Sequence, residues 1–198
     1  SVLGIVPHIT LSSEETLNET QWLEIRDTIE QNPAVVSISP VIQASGVAAA
    51  QGSHKGVVIN GVDAALEAES SAINRFMRAG DLTALQDNRW GIVLGQTLAN
   101  RLGVGLGDNV DLFSTSISIN PITPLATFKG FDVVGIYRVG AAELDGNLVM
   151  INLSAARALF RLRTPYNAVH IRTVDVLRAE MVRQEIMADL PGALRGES

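Results

Sequence analysis

The side chains that could do chemistry are few and scattered along the sequence. The histidines are His8, His54 and His170. A metal site needs ligands that converge from neighbouring turns or strands, and none of the three has another His or a carboxylate at i+3 or i+4 in such an arrangement. Each reads as a structural or solvent-facing histidine. The acidic pairs available for proton transfer are Glu14-Glu15 and Glu143 with Asp145. The first precedes a helix start. The second flanks Gly146 in a predicted turn joining Tyr137 to Leu148, where Asp is a favoured residue. Nucleophilic catalysis would need Ser or Thr on a sharp elbow with a base in reach, and no Gly-x-Ser-x-Gly occurs.

Other chemistries are excluded by what the sequence lacks. There is no cysteine, which removes thiol catalysis, disulfides, Cys-ligated zinc and iron–sulfur clusters. It also fits an oxidising compartment, where stray thiols are a hazard. Lys55 and Lys129 are each followed by Gly, so the Gly-Lys-Ser/Thr of a phosphate-binding loop is missing. The run Gly103-Val104-Gly105-Leu106-Gly107-Asp108 follows a helix and opens a strand, the reverse of a dinucleotide-binding loop. Catalytic, cofactor-binding and metal-binding residues are therefore all expected to be none, and no cofactor is expected.

One segment offers recognition instead of catalysis. Residues 114–130 are rich in Ser, Thr and Pro, and isolated apolar residues are spaced among the polar ones. Pro121 and Pro124 remove backbone donors and stiffen an extended path. Pro121, Ile122, Thr123, Pro124, Leu125 and Phe128 are the candidate partner-binding residues. Two readings stand side by side. The segment is a long β-hairpin whose apolar residues fold back on the core, or a projecting arm that offers a few apolar anchors to a partner's groove.

The bulk composition sets the limits around these residues. The hydrophobic fraction is 46% and the charged fraction 18%, which describes a folding chain. Aromatics make up only 5%, so Val, Ile, Leu and Ala must build the core. The net charge is −6 with no basic stripe, which argues against nucleic acid, because clustered cations are needed to displace counterions from phosphate. No apolar run approaches the ~18–20 residues that span a bilayer. A chain beginning at Ser1 is a mature soluble protein or a soluble piece of a larger one.

The positioning elements follow from periodicity. A strand is expected over 4–11. Asn18 with Gln21 forms a capping-box pair for a helix over 19–31, with Trp22, Ile25 and Ile29 inward and Asn32-Pro33 as the stop. Strand residues 34–42 and 47–50, the turn Gln51-Gly52-Ser53-His54 and a strand over 56–62 make a hairpin. Asp63 caps a helix over 64–77, with Leu66, Ile73 and Met77 inward, and Gly80-Asp81 breaks it. Then come a strand over 90–94, a helix over 96–102 closed by Gly103, and strands around Val110 and Leu112, over 131–137 and over 148–151. Ser154 is expected to cap a helix over 155–162. A strand over 168–172 and a helix over 176–190 follow, the latter capped by Asp175, with Leu177, Met181 and positions 184, 185 and 188 on successive turns. A strand–helix pair at each end around a β-rich middle suggests an α+β chain with an insertion.

The order of these segments resembles a known family. Val58-Ile59-Asn60-Gly61-Val62-Asp63 looks like the strand and Gly-x-Asp element of LolC/LolE periplasmic domains. The most specific stretch is Ile92-Val93-Leu94-Gly95-Gln96-Thr97-Leu98-Ala99-Asn100-Arg101-Leu102-Gly103-Val104 followed by Gly107-Asp108. Phe131-Asp132-Val133-Val134-Gly135-Ile136-Tyr137, Glu143-Leu144-Asp145 and Val149-Met150-Ile151-Asn152-Leu153 continue the match, which covers about residues 34–172. The resemblance extends to MacB/FtsX-like permease ectodomains.

The resemblance implies a split Porter-like α/β unit, 1–63 with 164–198, and an inserted β-rich Sabre-like subdomain, 64–163, carrying the arm at about 114–130. It implies the periplasmic domain of a bacterial inner-membrane ABC transporter permease that is not itself an enzyme. Such a permease releases lipoproteins and hands them to a LolA-type periplasmic chaperone. The implied partners are that chaperone, the lipoprotein substrate, a paralogous LolC/LolE permease subunit and a cytoplasmic ATPase subunit. In the LolC branch a Pro-containing hairpin, the Hook, enters the chaperone's apolar cavity, and Thr123-Pro124-Leu125 sits where that arm would be. The stretch from Pro124 to Phe131 is shorter than a LolC-type Hook and lacks its second flanking proline, so a LolE-like role toward the lipoprotein itself stays open. The alternatives are a MacB/FtsX-like export permease acting as a mechanical transmitter, or a free periplasmic ligand-binding protein.

Overall fold

A computed structural model describes residues 7–13, 17–70, 72–115, 127–190 and 194–197, with the backbone alone for Ser70 and 194–197. In chain order the elements are β1 (Ile9–Ser13), α1 (Glu19–Glu30), β2 (Val35–Ala50), β3 (Ser53–Val62), α2 (Ala64–Ser70) and β4 (Met77–Gly80). Then come α3 (Ala84–Asp87), β5 (Gly91–Gly95), α4 (Gln96–Leu102), β6 (Asn109–Ser114), β7 (Phe128–Tyr137) and α5 (Ala142–Asn147). The last are β8 (Leu148–Asn152), α6 (Leu153–Phe160), β9 (Ala168–Thr173), α7 (Ala179–Asp189) and β10 (Leu194–Glu197). The chain forms two compact units, 1–41 with 162–198, and 42–161. β2 crosses that division and gives one half to each.

In the first unit the strand order is β10, β1, β9, β2, with antiparallel neighbours. Alternation sends Ile9, Leu11, Val169 and Ile171 to one face, where they meet Trp22, Ile25 and Ile29 of α1 and Ala179, Val182 and Ile186 of α7. Each large aliphatic side chain buried there contributes roughly 1.5–3 kcal/mol. The α1 start is as its chemistry predicts: the Asn18 side chain accepts from Gln21 N–H at 2.9 Å, and the Gln21 side chain accepts from Asn18 N–H at 2.9 Å. Trp22 satisfies its indole by donating to Thr164 Oγ1 at 3.3 Å, and Thr164 donates on to Leu17 O at 2.7 Å.

The C-terminal helix buries a different face from the one expected. Leu177 and Met181 are exposed, while Ala179, Val182 and Ile186 are inside. Asp175 does cap, accepting from Leu177 N–H at 2.9 Å, but what it caps is a 3-10 turn over Val176–Arg178. A 3-10 turn advances about 120° per residue against about 100° in an α-helix, so a period counted from Val176 runs out of phase by the time α7 begins.

The second unit orders its strands β2, β3, β8, β5, β7, β4, and β6 bridges β2 and β7. Gln51 at φ 53° and Gly52 at φ 78° form the left-handed two-residue turn that joins β2 to β3. β3 runs parallel to β8 and β5 parallel to β7, and β5 is buried along its whole length, which accounts for its uninterrupted apolar run. Helices approach closely where glycine permits. A Cβ on Gly61 would meet Ala156 Cβ at 2.3 Å, and one on Gly95 would meet Asp145 O at 2.1 Å. Helix α4 ends on Gly103 at φ 68°, as its sequence predicts.

Three expectations are corrected in this unit. The helix expected over 64–77 stops at Ser70, a 3-10 turn follows over Ala72–Phe76, and Met77 enters β4 opposite Tyr137. Asn74 Nδ2 donates to Ala68 O at 2.7 Å and so supplies the terminated helix with an acceptor's partner, and strand pairing overrides helix propensity beyond it. The cap of α6 is Asn152, which accepts from Ser154 N–H at 2.8 Å; Ser154 lies inside the first turn. Glu143 and Asp145 belong to the short helix α5 in place of a simple turn. No described helix is long and apolar enough to cross a membrane.

Candidate functional site

The residues expected to form a projecting arm divide sharply. Pro121, Ile122, Thr123, Pro124 and Leu125 lie outside the described residues. Phe128 lies within them, as do both roots of the segment. Strand β6 runs through Ser114 and β7 begins at Phe128, so the strands claim more of 114–130 than expected. The roots are tightly tied: Ser114 N–H donates to Thr127 O at 2.8 Å, Thr127 Oγ1 to Leu159 O at 2.6 Å, and Thr115 Oγ1 to Ser45 O at 3.0 Å. Each of these bonds is worth about 1 kcal/mol net. Together they hold the two ends of the segment in register.

On the outer face of this ladder Phe113 pairs with Phe128, and their rings stack at 5.2 Å between centroids. Phe128 remains 57% exposed, and Val47 lies beside Phe113 on β2. Of this stacked pair Phe128 is the exposed member, and Phe113 is half-buried. Phe113 was not singled out from the sequence. Its alternation with the buried Leu112 and Val110 was the available signal, since it puts Phe113 on the solvent face. A few residues away, Arg89 lies 4.9 Å and Lys129 5.7 Å from the Trp90 ring centre, a cation–π cluster at the surface.

Of the groups weighed for catalysis, Glu14 and Glu15 lie outside the described residues, and the buried ones among the rest sit in structural roles. Asp145 is buried, and its carboxylate accepts from Val139 N–H at 2.7 Å and Gly140 N–H at 2.8 Å. The Tyr137 hydroxyl lies beside Leu144 O and Leu148 O, at 2.8 and 2.6 Å. Burial, then the nearby Asp145 charge, push its ionisation far above the ordinary range. His8 Nδ1 accepts from Thr173 N–H at 2.9 Å, and burial followed by Arg172 lowers its pKa. Burial and then Arg172 push His170 down to about 4. His54 is an exposed residue of β3. Among the described residues no three His, Asp or Glu come together to hold a metal. An open cleft of about 410 Å³ lies at the ends of the parallel strands β3 and β8, lined by Asp63, Gln86, Asn152, Ser154 and Arg157 among others. Ser154 there is engaged by Asn152 and by Arg89 Nε at 3.1 Å.

Residues 3–189 match the MacB-like periplasmic core domain. The chain is similar to the lipoprotein-releasing system transmembrane protein LolC of Neisseria meningitidis serogroup B, 25% identical over 88% of this chain and 42% of that protein. It is similar to the transmembrane protein LolE of the same system in Haemophilus influenzae, 23% identical over 98% of this chain and 47% of that protein. The chain thus spans less than half the length of these relatives. Its fold is that of the periplasmic region of MacB from Actinobacillus actinomycetemcomitans, with a TM-score of 0.59, 10% identity, and 100% of this chain and 92% of that one covered. The match over nearly the whole sequence makes this chain a member of the MacB-like periplasmic core domain family.

Proposed function

We propose that the chain is the periplasmic domain of a LolC/LolE-type permease subunit, part of an inner-membrane ABC transporter that releases lipoproteins. The observation that carries this reading is similarity to LolC and LolE along 88% and 98% of the chain. The domain does no chemistry of its own. A cytoplasmic ATPase subunit supplies the energy, a paralogous permease subunit completes the transporter, and the domain passes the lipoprotein to a LolA-type periplasmic chaperone. We read 1–63 with 164–198 as the split Porter-like unit and 64–163 as the Sabre-like insertion; the compact units differ from this division chiefly in grouping 42–63 with the middle of the chain.

Two structural facts support a tethered docking role. The first described strand and the last are neighbours, with Thr10 opposite Glu197, an arrangement that suits a domain held between two membrane helices. The segment 115–127 is rooted in paired strands, with the exposed Phe128 stacked on Phe113 beside it. In this reading Leu125 is the inserted anchor and Ile122 and Phe128 flank it. Leu125→Asp is expected to weaken chaperone binding at least tenfold by titration calorimetry, since a charge replaces about 2 kcal/mol of apolar burial. Unchanged affinity would remove the arm from the hand-over and leave the LolE-like role, contact with the lipoprotein itself.

A further inference from the structure

We infer that the cleft at the ends of β3 and β8 binds a small zwitterion, its ammonium on Asp63 and its oxyanion on Arg157. The hand-over role does not call for this site, and the inference stands apart from that reading. Its starting point is topology. β3 and β8 are parallel neighbours that end in register, with Val62 opposite Asn152. Beyond those ends the chain departs to two different faces. Successive strand residues point to opposite sides, and Gly61 points to α6, where a Cβ would meet Ala156 Cβ at 2.3 Å. Asn152, in register with the next residue, points the other way and donates to Leu85 O of α3 at 3.2 Å. β8 runs on into α6, whereas β3 runs on into α2, which packs beside α3. The two connections part and leave a cleft of about 410 Å³. A crevice at the carboxyl ends of adjacent parallel strands, where connections separate to opposite faces, is where α/β sheets take ligands. Its volume suits a small molecule.

The residues that follow the two strand ends give the cleft opposite charges. Asp63 comes directly after β3. Its Oδ1 accepts from the N–H groups of Ala65 and Leu66, at 3.1 and 3.2 Å, and its Oδ2 has no partner among the described residues. Arg157 is exposed on α6, and its guanidinium likewise has no partner among the described residues. Both line the cleft, yet no described ion pair joins them. The Gln86 side-chain amide on the same lining is uncommitted as well.

The remaining polar groups hold the wall in shape. Ser154 Oγ donates to Asn152 Oδ1 at 2.8 Å and accepts from Arg89 Nε at 3.1 Å. What is left for a ligand is one carboxylate oxygen, one guanidinium and one amide. A simple anion drawn to Arg157 meets the Asp63 charge, and a simple cation drawn to Asp63 meets Arg157. A molecule that carries both charges satisfies both walls with charge-assisted hydrogen bonds and is repelled by neither.

The test follows amide resonances of the isotope-labelled chain as small molecules are added. Two zwitterions with different spans between their charges are used, glycine and glycerophosphoethanolamine. Ethylammonium, acetate and dimethyl phosphate are the single-charge probes. One zwitterion is expected to shift Ala65, Ser154 and the Gln86 side chain and to bind about tenfold more tightly than any single-charge probe. Which of the two binds separates an amino-acid ligand from a phosphodiester headgroup. Asp63→Asn removes the charge and keeps the cap, since Asn caps as well as Asp, and Arg157→Gln changes an exposed position. Each variant is expected to weaken zwitterion binding about tenfold, with the spectrum away from the cleft unchanged. No shift with either zwitterion at millimolar concentration overturns the inference. Equal affinity for a single-charge probe also overturns it, and that comparison needs only the unaltered chain. So does a loss confined to one variant, which makes the cleft a plain anion or cation site.

Discussion

The two units of this chain keep their shape by different physics. The unit of 1–41 with 162–198 lays two amphipathic helices on one face of an antiparallel sheet, and its stability is spread over many apolar contacts. The unit of 42–161 depends on a few points where backbone touches backbone or a buried polar group is fully engaged, as at Gly95, Gly61, Asp145 and Tyr137. The first should yield gradually to substitution and to acid. The second should fail abruptly at single positions. The lesson is that Ser114 and Phe128, the roots of the proposed arm, stand in the unit whose geometry is least forgiving.

Each unit carries one of the two tryptophans, Trp22 and Trp90, so Trp90→Phe and Trp22→Phe backgrounds let urea unfolding be followed unit by unit. The largest effect is expected from Gly95→Ala. Its new Cβ would fall 2.1 Å from Asp145 O and 2.5 Å from Asp145 C, backbone atoms that cannot move aside, at a cost of about 4 kcal/mol. The Trp90 transition should move and the Trp22 transition should not. A joint shift of both would mean the units unfold as one.

Acid should separate the units in the opposite sense. His170 has its folded pKa lowered from 6.5 to about 4, and His8 is lowered too; both belong to the unit of 1–41 with 162–198. A lowered folded pKa means the unfolded chain binds the proton first. The contribution of His170 is therefore complete above about pH 6.5 and is lost as pH falls toward 4, about 3 kcal/mol in all. The Trp22 midpoint in urea should fall across that window, and His170→Gln should remove most of the slope. A pH-independent Trp22 midpoint would contradict the burial described for this ring.

The smallest of the three is Asn18→Ala, which removes the capping box of α1 and should cost about 1 kcal/mol, read on Trp22 alone.

What the sequence made legible follows local chemistry. Asn18 with Gln21, Gly103 after α4 and the Gln51-Gly52 turn each depend on residues within a few positions, and all are where local rules put them. The apolar stripe of Trp22, Ile25 and Ile29 is equally local. The failures have tertiary causes. Residues 72–80 leave the helical path because β7 offers Met77 and Gly80 a strand to pair with. The inward face of α7 is missed because a 3-10 turn shifts its phase. Ser154 loses the cap to Asn152, which sits two residues earlier at the end of β8 and also donates to Leu85 O at 3.2 Å. Of the candidate site, Phe128 was legible as an isolated apolar residue among polar ones. Its partner Phe113 was not, since only strand register brings the two rings together.

The proposed role of the domain is that of a hand-over surface powered from elsewhere. The most direct measurement is lipoprotein transfer by the full permease, reconstituted in vesicles with its paralogue and ATPase subunit and supplied with ATP and a LolA-type chaperone. Replacing residues 116–126 by a Gly-Ser linker is predicted to leave ATP hydrolysis intact and abolish transfer to the chaperone. Undiminished transfer by that variant would contradict the claim.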